Sequence, residues 1–172
     1  MAADVLVISV SAGENLRLAE RFAAAARGHD LSAEVLGLTE LPLPLFNPLT
    51  LAESGIPAGV AELNARLDAS PRWVICTPEY NGSIPPLFTS AVAWLSVQGD
   101  DFRRLFNHRP IAIATHSGGG GHTVLAALRL QLAHLGANLV GRQLVSNRAN
   151  PAKDDTIDDL VVRLQRLAAI NR

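Results

Sequence analysis

The chain is expected to fold as a single α/β domain, a three-layer α/β/α sandwich around a five-stranded parallel sheet. Three observations predict it. Short apolar runs alternate with stretches of helical periodicity along all 172 residues. Runs such as Val5-Leu6-Val7-Ile8 lack polar alternation, as strands covered on both faces do. Polar, small-residue loops follow the first, third and fourth of these runs, at the sheet edge where open α/β folds bind ligands.

The elements follow in order. Val5 to Ile8 reads as a central strand, Ser9 to Glu14 as a polar loop, and Asn15 as a helix N-cap. Leu18, Phe22, Ala23 and Ala26 then fall at helical spacing, and Gly28 suits the position just past the helix end. Ser32 to Leu38 gives a weaker second strand. The prolines of Glu40 to Pro48 argue for an extended loop with exposed apolar residues. Val60, Leu63 and Leu67 mark a second helix, and Trp73 to Cys76 a buried third strand.

Thr77-Pro78 ends that strand, and Glu79 to Ser83 supplies turn chemistry. Pro85-Pro86 suits a first helical turn, with Leu87, Ala91, Trp94 and Leu95 on the apolar face. Asp100 to His108 is a connection without a clear pattern. Pro110 to Thr115 is the fourth strand. It runs into His116-Ser117-Gly118-Gly119-Gly120-Gly121-His122 and then a helix carrying Val124, Leu125, Leu128, Leu132 and Leu135, ended by Gly136. Asn138-Leu139-Val140 begins the last strand region, with Gln143 to Val145 as its continuation, and Pro151 breaks it. Thr156 to Ile170 is the final helix, with Ile157, Leu160, Val161, Leu164, Leu167 and Ala168 on one face. Its aspartates near the start and Arg163 and Arg166 toward the end suit the helix dipole.

Composition narrows the function. Hydrophobic residues make up 48% and charged residues 18%, a globular balance. A net charge of -1 gives no electrostatic footprint for nucleic acid or an anionic membrane. The single cysteine, Cys76, excludes an internal disulfide and a cysteine metal cluster, and its apolar strand makes it a packed thiol. With no leader or long apolar span in view, a soluble cytoplasmic protein is expected. His116 and His122 lack a third ligand at metal-site spacing, so they are expected to face solvent or a ligand. Ser83 and Ser117 stand outside a nucleophile elbow, and hydrolysis is not expected.

The three loops are the candidate site. In the first, small residues let backbone amides approach an anion at a helix N-terminus, with Ser11 and Asn15 adding side-chain hydrogen bonds. An ordinary turn capped by Asn15 would read the same way. The second loop, Pro78 to Ser83, offers amides and carbonyls. In the third, glycines allow positive φ and a backbone lying flat against a ligand, or simply a flexible loop.

Thr77-Pro78-Glu79-Tyr80-Asn81-Gly82-Ser83-Ile84-Pro85, followed by a helix ending Trp94-Leu95-Ser96, resembles the signature of the NADPH-dependent FMN reductase family. That family has a flavodoxin-like fold and includes FMN, quinone, azo and chromate reductases. The resemblance runs from the first strand to the last helix and is strongest at Thr77 to Ser96 and Ser117 to Gly136, where Leu128-Arg129 also fits. It implies strand order 2-1-3-4-5 and a ligand at the switch point between the first and third strands. It implies an FMN site built from Ser9, Ser11, Gly13 and Asn15 for the phosphate, Pro78, Glu79, Tyr80, Asn81 and Ser83 for the ring, and Ser117, Gly118, Gly119 and Gly120 beside it.

NADPH or NADH would supply hydride, a quinone-like or other small acceptor would take the electrons, and no side chain need act as acid or base. A homodimer or a dimer of dimers is expected from the apolar Leu41 to Leu49 loop beside the helix carrying Trp94 and Leu95. The family's usual Gly-Ser-x-Arg-x-x-Ser-x-Asn is shortened here to Ser9-Val10-Ser11-Ala12-Gly13-Glu14-Asn15, without the arginine and with an added Glu14. Relatives' Lys-Asn and Asp in the signature helix are Thr89-Ser90 and Ala93. The competing reading is a flavodoxin-like binding module with weak or lost FMN binding. An electron-transfer flavodoxin fits less well, since those proteins are strongly acidic.

Overall fold

The computed structural model describes residues 2–169. Its strands are β1 (Val5–Ser9), β2 (Ala33–Gly37), β3 (Arg72–Cys76), β4 (Pro110–His116), β5 (Asn138–Leu139) and β6 (Leu144–Ser146). Its helices are α1 (Glu14–Gly28), α2 (Pro48–Ser54), α3 (Ala58–Ala69), α4 (Pro86–Ser96), α5 (His122–His134) and α6 (Asp154–Arg166). Short 3-10 turns cover Leu38–Glu40 and Phe102–Leu105, the latter inside the connection whose form the sequence left open.

All strand pairs are parallel, in the order β2-β1-β3-β4-β5, with β6 also on β4. The expected last strand is therefore two. β5 pairs Pro110 and Ile111, β6 pairs Ala114 to His116, and Val140 to Gln143 bulges between them. Arg129 holds that excursion, donating from Nη2 to Val140 O at 3.0 Å and to Gln143 Oε1 at 3.2 Å. Among the described residues the sheet thus has six strands where five were expected.

Alternate strand residues feed two cores. Leu6, Ile8, Trp73, Ile75, Ile111 and Ile113 pack under α3, α4 and α5, while Val5, Val7, Val74, Cys76, Ala112 and Ala114 pack under α1 and α6. Both faces being covered is the reason these strands read as unbroken apolar runs. Burial of Cys76 pushes its thiol pKa up, in keeping with a packed, unreactive side chain.

Several boundaries move for identifiable reasons. Gly13, not Asn15, caps α1. Gly28 is the last helical residue, and the left-handed position past the end is taken by Asp30 at φ 61°. Leu31 N bonds Ala26 O and Asp30 N bonds Arg27 O, the paired bonds of a Schellman ending, here with aspartate where glycine is usual. Gly136 closes α5 in the same way at φ 95°, as its sequence position suggested.

Phe88 is buried in the core from α4, and Leu87 packs against that core partly buried. The 40–49 region ends in α2 after all. Asn47 Oδ1 accepts Leu49 N at 2.9 Å, and Pro48 occupies the first turn, where no amide is needed. The final helix starts at Asp154 and stops at Arg166, so Leu167 lies past it and Ala168 is exposed; Ile170 lies outside the described residues.

Candidate functional site

Register places the ends of β1, β3 and β4 at one level, with Ser9 opposite Cys76 and Cys76 opposite Ala114. The three polar loops that leave these strands are then tied together. Val10 N donates to Cys76 O at 2.9 Å, Thr77 N to Ala114 O at 3.0 Å, and Ser117 N to Ser146 O at 3.0 Å.

The first loop is built by short-range bonds. Buried Ser9 donates from Oγ to Ser11 O at 2.7 Å, which folds the loop back onto the strand end. Leu16 N and Arg17 N both reach Gly13 O, so the amides before them form the open end of α1. Gly13 has nothing within 4 Å of the place a Cβ would occupy, so its backbone is open to close approach.

Asn15 does something the sequence did not show. Its Nδ2 donates to His116 O at 3.0 Å, and its Oδ1 accepts His116 N at 2.8 Å. This buried amide latches the first loop to the end of β4, which leaves one Nδ2 hydrogen for any other partner. Glu14 is exposed and paired with Arg17 at 2.5 Å, one turn along the helix.

The second loop is a tight hairpin. Tyr80 N donates to Ser83 O at 3.1 Å, and Ser83 N to Tyr80 O at 3.0 Å. Asn81 and Gly82 lie between them at φ 51° and 73°, the left-handed pair of a type I′ turn, for which Asn-Gly is the preferred sequence. The turn holds Tyr80 52% exposed, so its ring stands at the surface and not in the core. Pro78 is buried beneath, and Thr77 Oγ1 donates to Pro78 O at 3.1 Å.

In the third loop Ser117 is buried, and its Oγ accepts Gly119 N at 3.3 Å. Gly120 and Gly121 take φ 104° and 74°, which L side chains rarely adopt. The four glycines have different reasons to be glycine. A Cβ at Gly121 would stand 2.5 Å from Thr115 Cγ2, and one at Gly119 would stand 3.0 Å from Glu79 Oε1. At Gly118 and Gly120 nothing lies within 4 Å. The half-buried His116 lies 3.4 Å from Ser146 Oγ through Nδ1, and His122 is exposed at the start of α5.

The structure therefore brings all thirteen expected positions to one edge of the sheet, three loops in mutual contact. Among the described residues no group of three or more His, Cys, Asp or Glu side chains is placed to hold a metal, and no helix is long and apolar enough to cross a membrane. The donor set is the open N-terminus of α1 next to loops that present backbone groups, with nothing within 4 Å of where a Cβ would stand at Gly13, Gly118 and Gly120. It has the chemistry to hold a phosphorylated, planar, polar-edged ligand.

Comparison with known proteins agrees with this geometry. The model of the NADPH-dependent FMN reductase family matches residues 3–151. A quinone reductase of Escherichia coli strain K12 is 31% identical over 135 residues, covering 74% of this chain and 70% of that protein. Among solved structures, FerB, a flavoenzyme NAD(P)H:(acceptor) oxidoreductase from Paracoccus denitrificans, superposes with a TM-score of 0.74 at 21% identity, covering 96% of this chain and 98% of its own. An oxidoreductase from Corynebacterium diphtheriae superposes with a TM-score of 0.72 at 21% identity, covering 95% and 94%. At such identities the two superpositions speak to the fold, which is flavodoxin-like.

Proposed function

The chain belongs to the NADPH-dependent FMN reductase family, and from that premise we propose that it passes electrons from NAD(P)H through FMN to a quinone or a similar small acceptor. The observation that carries the reading is the convergence of three loops at one sheet edge, with the backbone of Gly13, Gly118 and Gly120 left uncovered by other parts of the chain. FMN, if bound there, would supply the hydride-accepting and electron-donating chemistry. What the protein supplies is placement.

Ser11, the backbone at Gly13 and the positive end of α1 would hold the phosphate. Ser9 and Asn15 would act mainly by shaping that loop, since Ser9 Oγ and most of the Asn15 amide are bonded within the chain. Backbone groups of Pro78, Glu79, Tyr80 and Asn81 would edge the ring, with Ser83 closing the turn. Ser117 and Gly118 to Gly120 would lie along the ring's other side. No side chain is asked to transfer a proton. A cytoplasmic location, without nucleic-acid or membrane partners, belongs to the same reading, and the near-neutral charge supports it.

Titration of the apoprotein with FMN and with riboflavin, which lacks the phosphate, tests the site. A lost arginine removes charge-assisted hydrogen bonds worth about 1.5–3 kcal/mol each, or roughly ten- to a hundredfold in affinity. Glu14 is exposed and paired with Arg17, which weakens the repulsion it would add. FMN is expected to bind tighter than riboflavin by no more than about tenfold. A preference of a hundredfold or more would show a fully competent cradle. Binding of neither would leave the binding module as the better reading.

We also propose a homodimer or a dimer of dimers. Trp94 and Leu95 are no part of its surface, because both are buried within the chain. Trp94 Nε1 donates to Pro44 O at 2.7 Å, and Phe46 packs edge-on against its ring at 4.9 Å. What remains exposed is Leu45 at 62% and Leu49 at 69%, beside a shallow groove of about 300 Å³ edged by Phe46, Pro86, Thr89, Ser90 and Ala93. Light scattering across the micromolar range is expected to show the dimer or larger; monomer throughout would reject it.

A further inference from the structure

We propose that Glu79 is a positioning residue. Its carboxylate reaches across from the second loop, caps helix α5 and clamps the glycine loop, and so fixes the spacing of the two loops between which the flavin ring would lie. The inference rests on the FMN reading above for what the loops hold, but the clamp itself is a property of the chain.

The start of α5 needs such a partner. Its N-cap, Gly121, has no side chain and sits at φ 74°, so it cannot supply the oxygen that a Ser, Asp or Asn cap would. Glu79 supplies it from 45 residues away, where Oε2 accepts the backbone N–H of Val124, the third residue of the helix, at 3.2 Å. That is the amide a local cap would take, and the bond places a negative charge at the positive end of the helix dipole.

The other oxygen explains a glycine. Oε1 lies 3.0 Å from where a Cβ of Gly119 would stand, so any side chain there would press on the carboxylate. Gly121 is barred from a Cβ by Thr115 beneath it. Of the four glycines, Gly119 is thus kept small by the clamp and Gly121 by Thr115, while a Cβ on Gly118 or Gly120 would meet nothing within 4 Å. A further contact runs the same way, since a Cβ on Gly82 would meet Thr123 Cγ2 at 3.9 Å. Glu79 is half-buried between the two loops and its carboxylate is turned toward the helix. Its side chain therefore acts on the ring indirectly, through the loop it holds.

Two variants separate this from direct contact with the flavin. Glu79→Ala removes the clamp, and Glu79→Gln keeps a shape-matched carbonyl oxygen for Val124 N–H. Amide hydrogen exchange on the flavin-free protein reads the clamp without any ligand. Titration with FMN and riboflavin then reads its effect on flavin binding. Glu79→Ala should speed exchange at Val124 and weaken both flavins by the same factor, about tenfold, because the damage is at the ring end and not at the phosphate. Glu79→Gln should restore both to within about threefold of the parent. Unchanged exchange at Val124 in Glu79→Ala overturns the clamp, as does a loss confined to FMN or a failure of glutamine to rescue. Binding of neither flavin by the parent chain would overturn the FMN reading instead, and the exchange result would still decide the clamp.

Discussion

Replacing Arg109 with alanine is expected to destabilise the fold by about 2–5 kcal/mol, more than any change in the candidate site. Arg109 is fully buried at the start of β4, at the opposite end of the sheet from the three loops. Its Nε donates to Leu105 O at 2.5 Å, its Nη1 donates to Ser70 O, and its guanidinium lies 4.3 Å above the Trp73 ring. Burial, and next the neighbouring charge of Arg104, lower its pKa to about 10, so it remains a cation at neutral pH.

A buried cation costs desolvation, and Nη2 has no hydrogen-bond partner among the described atoms, so the native contacts offset a real penalty. Alanine relieves that penalty but leaves two carbonyls unpaired and a void beside Trp73. Each orphaned carbonyl costs about 1–3 kcal/mol, and the void adds to it. Arg109→Met, which refills the space, should lose less. The check is denaturant unfolding, read as a lower midpoint at unchanged slope. A loss under about 1 kcal/mol for alanine would mean that the buried charge costs as much as its contacts return.

Asn81→Val should do the reverse, leaving the fold alone and damaging the site. Asn81 is exposed in a two-residue turn, so far-ultraviolet circular dichroism should not change. At φ 51°, however, a β-branched side chain meets the backbone, at a cost of about 1–2 kcal/mol or more. The turn would relax by losing the Tyr80–Ser83 pairing and moving Tyr80 with it. FMN occupancy should fall by about ten- to thirtyfold. Asn81→Gly, which accepts that φ, should keep occupancy near the parent value. Unchanged occupancy in the valine variant would show that the loop does not edge the ring.

Both residues bear on what a sequence can disclose. The type I′ form of the turn at Asn81 is seen only in the fold, but the Asn-Gly pair makes the presence of a turn between Glu79 and Ser83 legible in the sequence. The same holds for the strands of the central sheet, whose two-sided burial leaves unbroken apolar runs. It holds for α5, closed by Gly136. Arg109 carried no signal, because its partners are backbone carbonyls that only the folded chain brings to it.

Asn15 shows the limit most clearly. Its position ahead of an apolar periodicity fits an N-cap, yet its amide is spent on His116, 101 residues away. Glu79 is similar, since a cap delivered from another loop leaves no trace in the local pattern. The sequence shows β5 and β6 as one strand region because both follow β4, and the side chain that holds the excursion between them, Arg129, acts from α5. By contrast α2 was legible in Asn47-Pro48, a cap followed by a first-turn proline, but the surrounding prolines made the segment look purely extended.

The central claim is that this chain holds FMN where a nicotinamide can reduce it and a small acceptor can reoxidise it. Rapid anaerobic mixing of the FMN-loaded protein with NADPH or NADH, followed by a quinone, tests this most directly. The account predicts that the visible flavin absorbance of the bound cofactor bleaches on the first mixing and returns on the second, both faster than for free FMN under the same conditions. Bound flavin whose absorbance stays unchanged with both nicotinamides would contradict it.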